Sequence, residues 1–69
     1  MNLTSVKKEV GIQVKKARKK KKWSQETLSI SAGTNRETIR TIENGTANWT
    51  IEKLVNICSK LGMKSIVIK

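Results

Sequence analysis

The chain reads as an all-α domain of four short helices around one apolar core, followed by a short C-terminal β-strand. Three observations lead there. Apolar residues recur at helical spacing in four separate stretches, each bounded by capping or turn residues. The segment from Ser24 to Gly45, SQETLSISAGTNRETIRTIENG, holds two helix patterns divided by a glycine. From Met63 onward the character changes, because Ile66, Val67 and Ile68 are consecutive β-branched residues bracketed by lysines.

Thr4 or Ser5 can cap the first helix, and Leu3, Val6, Val10, Val14 and Ala17 define its buried face. Gly11 inside it costs about 1 kcal/mol against alanine. Seven of the eight residues from Lys15 to Lys22 are basic. Two readings of that run stay open. It is a solvated helix end whose lysines favour the negative end of the helix dipole, or a ridge that faces phosphates.

Ser24 caps the second helix, Gln25 and Glu26 fill its first turn, and Leu28 with Ala32 supply its apolar stripe. Gly33 stands where the chain must reverse, in a conformation that only glycine adopts without a Cβ penalty. Asn35 caps the third helix. Ile39 and Ile42 share one face of it, Arg36, Glu37, Arg40 and Thr41 occupy others, and Asn44-Gly45 closes it. Two capped helices around a tight glycine turn spell a helix-turn-helix. The second helix of such a unit is shaped to enter the DNA major groove.

The polar loop Thr46-Ala47-Asn48-Trp49 follows, then Thr50 caps a fourth helix carrying Ile51, Leu54, Ile57, Cys58 and Leu61, ended by Gly62. Trp49 either covers the core or lies against a sugar-phosphate edge. Residues 1–62 form the domain and 63–69 a strand or tail. A lone strand leaves its backbone groups unpaired, so two tails pairing antiparallel through Ile66, Val67 and Ile68 would make a homodimer; the other reading is a frayed end.

At 69 residues there is room for one domain, which buries only about 60% of its unfolded surface, so a second chain would add useful apolar contacts. The net charge of +10 points to nucleic acid or an anionic membrane as partner. Histidine and aspartate are absent and one cysteine stands alone. That removes zinc clusters, histidine triads and paired-aspartate metal sites, so no catalytic residue, metal or cofactor is expected. Cys58 reads as a small core residue, and an unpaired thiol suits a reducing cytoplasm. No apolar run approaches membrane-spanning length and no secretory leader is visible.

The pattern resembles the Cro/repressor (Xre-type) helix-turn-helix family of phage and bacterial regulators. The match is carried by Arg18, Ser24-Gln25-Glu26, Leu28, Ala32-Gly33, Arg36, Thr38-Ile39, Ile42-Glu43, Asn44-Gly45, Leu54, Ile57 and Leu61-Gly62, across roughly residues 10 to 62. It implies a lambda-repressor-type domain of four helices, or a five-helix-like variant, although nothing obvious encodes the fifth helix of many relatives. Two departures stand out. Lys22 sits where a glycine is common, and Trp49 replaces a frequent proline.

The resemblance implies a partly buried Arg18–Glu43 ion pair bracing helix 1 against helix 3. It also implies a sequence-specific regulator of double-stranded DNA, working as a dimer on an inverted repeat whose half-sites lie about 34 Å apart. Base contacts fall to Asn35, Arg36, Glu37, Arg40 and Thr41, with Arg36 donating to guanine, Asn35 matching adenine and Glu37 accepting from cytosine. Phosphate contacts fall to Gln25, Thr34, Thr38, Asn44, Thr46 and Asn48, with Lys19 and Lys20 from the basic run. The alternative is an antitoxin or coactivator-like module of the same fold, with a protein partner. A membrane-active basic peptide would leave the apolar face of helix 1 exposed, whereas the multi-helix pattern needs that face for its core.

Overall fold

Helix starts follow from side chains that satisfy orphan amides. In the computed structural model, which describes residues 3–63, the chain forms α1 (Leu3–Lys20), α2 (Gln25–Ala32), α3 (Arg36–Asn44) and α4 (Ile51–Lys60). The Ser24 hydroxyl accepts from the Thr27 amide at 3.0 Å, Asn35 from Thr38 at 2.8 Å and Thr50 from Lys53 at 3.1 Å. Each cap therefore pairs an N–H that its helix cannot satisfy.

All the helices stop in the same way. A residue with positive φ follows the last turn, and the next amide reaches back to a carbonyl five residues earlier. Gly33, Gly45 and Gly62 serve α2, α3 and α4 at φ of 69°, 76° and 72°. At the end of α1 the part falls to Lys22, φ 61°, with the Trp23 amide donating to the Arg18 carbonyl at 3.2 Å. The lysine that departs from the family pattern thus adopts the backbone that a glycine would take there.

The helices pack α1 on α3, α3 on α2 and α2 on α4. Between them lie Val10, Val14, Leu28, Ala32, Ile39, Ile42, Leu54, Ile57, Cys58 and Leu61, all buried. Trp23, Trp49, Ala47, Val6, Ala17 and Met63 are partly buried against that cluster. Gly11 marks where α1 crosses the last turn of α3, because a Cβ there would lie 2.7 Å from the Glu43 carbonyl oxygen. Asn56 ties α4 to the end of α2 by donating to the Ala32 carbonyl at 2.7 Å.

Several expectations need correcting. The described residues form four helices and no strand, so the fold over residues 3–63 is all-α, not helices with a β-element. The expected strand, with Ile66, Val67 and Ile68 as a dimer seam, falls on 64–69, outside the described residues. Leu3 and Ile51, which helical spacing groups with the apolar residues of the first and fourth helices, are not in the core but 65% and 68% exposed. Both sit in the first turn of a helix, beyond the reach of the neighbouring elements. Helical spacing assigns a face, but not how far its partner extends along it.

Candidate nucleic-acid interface

The placing of α3 decides what it can present. Ile39 and Ile42 are completely buried, and Glu43 follows them inward. Glu43 is received by Arg18, whose Nε donates to one carboxylate oxygen at 2.7 Å and whose Nη2 donates to the other at 3.0 Å. Arg18 Nη1 also donates to the Trp23 carbonyl at 2.7 Å, and Gln25 Nε2 donates to Glu43 at 3.3 Å. The Glu43 hydrogen bonds raise the Arg18 guanidinium above its ordinary value, outweighing the opposing effect of burial. This network fixes α3 against α1 and the start of α2, and turns its opposite side outward.

That outer side carries Arg36, Glu37, Arg40 and Asn44, all exposed. Arg36 opens the helix, and among the described residues its guanidinium pairs with no other side chain. Arg40 and Glu37 face each other one turn apart: Arg40 Nε donates to Glu37 Oε2 at 2.9 Å, and Nη2 donates to Oε1. The Arg40 hydrogen bonds hold the Glu37 carboxyl below its usual range, with Arg36 adding a smaller attraction. Asn35 Oδ1 accepts from both the amide and the hydroxyl of Thr38, so only its Nδ2 remains for a base edge. Thr41 is half-buried and donates to the Thr38 carbonyl at 3.0 Å.

The expected phosphate-binding residues separate into groups. Gln25 shares an open cleft of about 410 Å³ with Arg18, Ser24, Glu26 and Arg36, where α2 and α3 both begin. Asn44, Thr46 and Asn48 lie at the opposite end of α3, and Thr46 Oγ donates to the Thr41 carbonyl at 3.4 Å. Thr34 is apart from both groups, in a cleft with Thr50, Lys53 and Asn56 of the α4 start. Lys19 and Lys20 are exposed, but Lys20 borders a cleft with Ala17, Lys21, Leu61 and Met63, toward the end of α4. The basic run is therefore not one ridge. Arg18 turns inward, and Lys21 lies over the Trp23 ring at 5.3 Å.

Sequence reasoning missed Lys7 and Lys8. Lys7 Nζ donates to Asn48 Oδ1 at 2.6 Å. Gly45 passes so close to Lys8 that a Cβ would lie 3.0 Å from its Cα. Both lysines thus stand beside the loop after α3. The available signal was the spacing of Lys7, Gly11, Val14 and Arg18, which puts them on one face of α1.

A family model described as a helix-turn-helix domain matches residues 11–64, spanning α2, the glycine turn and α3. The chain belongs to that family. The match agrees with the Cro/repressor (Xre-type) resemblance and makes this helix-turn-helix chain a DNA-binding domain. No curated protein matches it. Among the described residues, no helix of this domain is long and apolar enough to cross a membrane.

Proposed function

We propose that this helix-turn-helix protein is a sequence-specific transcriptional regulator of the Cro type, which lays α3 in the major groove of an inverted-repeat operator as two copies. One observation carries the reading. The inner face of α3 is fully occupied by Ile39, Ile42 and the Glu43–Arg18 pair, while Arg36, Glu37 and Arg40 project outward from its first turns. Long hydrogen-bonding side chains on the open side of a braced helix are what base-edge reading requires.

Positioning groups flank that face. Gln25 and the start of α2 lie beside Arg36, where the amides and dipole of a helix start favour a phosphate. At the other end, Asn44, Thr46, Asn48, Lys7 and Lys8 can grip the backbone further along. The charge of +10 adds attraction that carries no sequence information. Two copies on half-sites about 34 Å apart would read one face of the duplex.

Selection of bound duplexes from a random pool tests this. The expected product is a short inverted repeat, with the Arg36–Asn44 amide resonances shifting when it is titrated in. An unselective pool, or shifts confined to α1 lysines, would overturn the reading.

A further inference from the structure

Glu37 is one of five acidic residues in a chain of net charge +10, yet it stands on the face proposed to meet DNA. A carboxylate there repels phosphates and costs affinity, so its presence calls for a compensating role. Its position supplies one. Both carboxylate oxygens face the Arg40 guanidinium, which donates through Nε at 2.9 Å and through Nη2. The two side chains are 65% and 50% exposed, so their mutual contact is what orders them.

The donor inventory of arginine shows what that contact leaves free. A guanidinium has five N–H groups in one plane. Glu37 takes one on Nε and one on Nη2, leaving both protons of Nη1 and the outer proton of Nη2. Of these three, one on Nη1 and the outer one on Nη2 are parallel, on the guanidinium edge next to the one the carboxylate occupies. That edge matches the O6 and N7 acceptors of a guanine. An arginine already held in this orientation also loses less rotamer freedom on binding than a free one.

We propose that Glu37 is a positioning residue which holds Arg40 for a guanine, so that the two read one base pair as a unit rather than two independently. This rests on α3 reading DNA and adds to that reading which residues act together. It replaces the expectation that Glu37 accepts directly from a cytosine amino group. A cytosine reader needs its carboxylate turned to the base, whereas here both oxygens are turned to Arg40.

The test measures relative affinity for all four base pairs at every position of the selected site, with wild type, Glu37→Ala, Glu37→Gln, Arg40→Ala and the double alanine variant. Thermal melting run alongside should show all of them folded, since both residues are exposed. Arg40→Ala should flatten guanine preference at one base pair by roughly 5- to 150-fold, the span of a bidentate base contact. Glu37→Ala should flatten the same base pair by about 10-fold, within that span, and bind random duplex more tightly. The double variant should be no flatter than Arg40→Ala. Glu37→Gln, which keeps a carbonyl acceptor for the guanidinium, should retain most of the preference. Loss at a different base pair, additive losses in the double variant, or equal losses for glutamine and alanine would overturn the pairing while leaving DNA reading intact. A wild-type protein that selects no sequence would overturn both.

Discussion

Arg18 of α1 and Glu43 of α3 form a two-pronged ion pair, with donor–acceptor distances of 2.7 and 3.0 Å and side chains only 9% and 1% exposed. Truncating either partner would leave the other charged and buried, at a cost of about 3–5 kcal/mol. Stability near 0.05–0.15 kcal/mol per residue makes that loss comparable to the whole for a chain this size. Arg18→Ala and Glu43→Ala are each expected to be largely unfolded at 25 °C by circular dichroism. The apolar double variant Arg18→Met, Glu43→Leu should melt closer to wild type than either single change. Singles that melt with wild type would refute the bracing role.

Gly11 sets helix propensity against packing. Alanine there gains about 1 kcal/mol of propensity. Its Cβ, however, would sit 2.7 Å from the Glu43 carbonyl oxygen, a backbone atom in the last turn of α3. Overpacking of this kind costs about 1–3 kcal/mol, and the helix that must yield is the one proposed to read bases. Gly11→Ala should therefore lower the urea midpoint and weaken site binding together. A raised midpoint would show that α1 and α3 separate freely.

Lys22 holds a left-handed backbone, φ 61°, that costs a non-glycine residue about 1–2 kcal/mol. Its side chain is exposed. Lys22→Gly should relieve that strain, less the extra freedom glycine has when unfolded, for a net gain of about 0.5–1 kcal/mol. The melting temperature should rise by a few degrees. An unchanged or lower value would mean that the lysine is unstrained there.

These sites show where sequence reading succeeds and where it stops. Ser24, Asn35, Thr50, Gly33 and Gly45 were legible as helix boundaries because a cap acts within three or four residues of itself. The role of Gly11 was not, because the atoms it accommodates belong to Ile42 and Glu43, thirty-odd residues along the chain. Lys7 and Lys8 escaped notice for the same reason, since their neighbours Asn48 and Gly45 come from another helix end. Glu37 and Arg40 were legible as candidates, and their i,i+3 spacing already allowed a pair. The spacing alone does not say that the pair forms, whereas in the fold the two side chains meet.

Burial pushes the Cys58 thiol above its ordinary value of 9.0. The folded state then holds this proton more tightly than the unfolded chain does. Its contribution is intact below pH 9.0 and is lost as pH climbs through the raised folded value. Wild type should lose stability above that point more steeply than Cys58→Ala. Alkylation of the native thiol should be slow and should accelerate on adding denaturant. Equal alkaline slopes, or fast native alkylation, would place the thiol in water.

Arg36 offers the cleanest separation of base reading from phosphate binding. It opens α3, is exposed, and among the described residues its guanidinium is paired with no other side chain, so nothing must be broken before it reaches a guanine edge. Arg36→Ala should cost about 1–3 kcal/mol on the selected site and relax preference at one base pair. Lys19→Ala, at an exposed position of the basic run, should weaken every sequence alike. It should also flatten the slope of log affinity against log salt by about 0.9, one phosphate contact. Binding isotherms on specific and scrambled duplexes at several salt concentrations read both effects. If Arg36→Ala weakens the two duplexes equally, this arginine grips the backbone, and base selection passes to the Glu37–Arg40 pair.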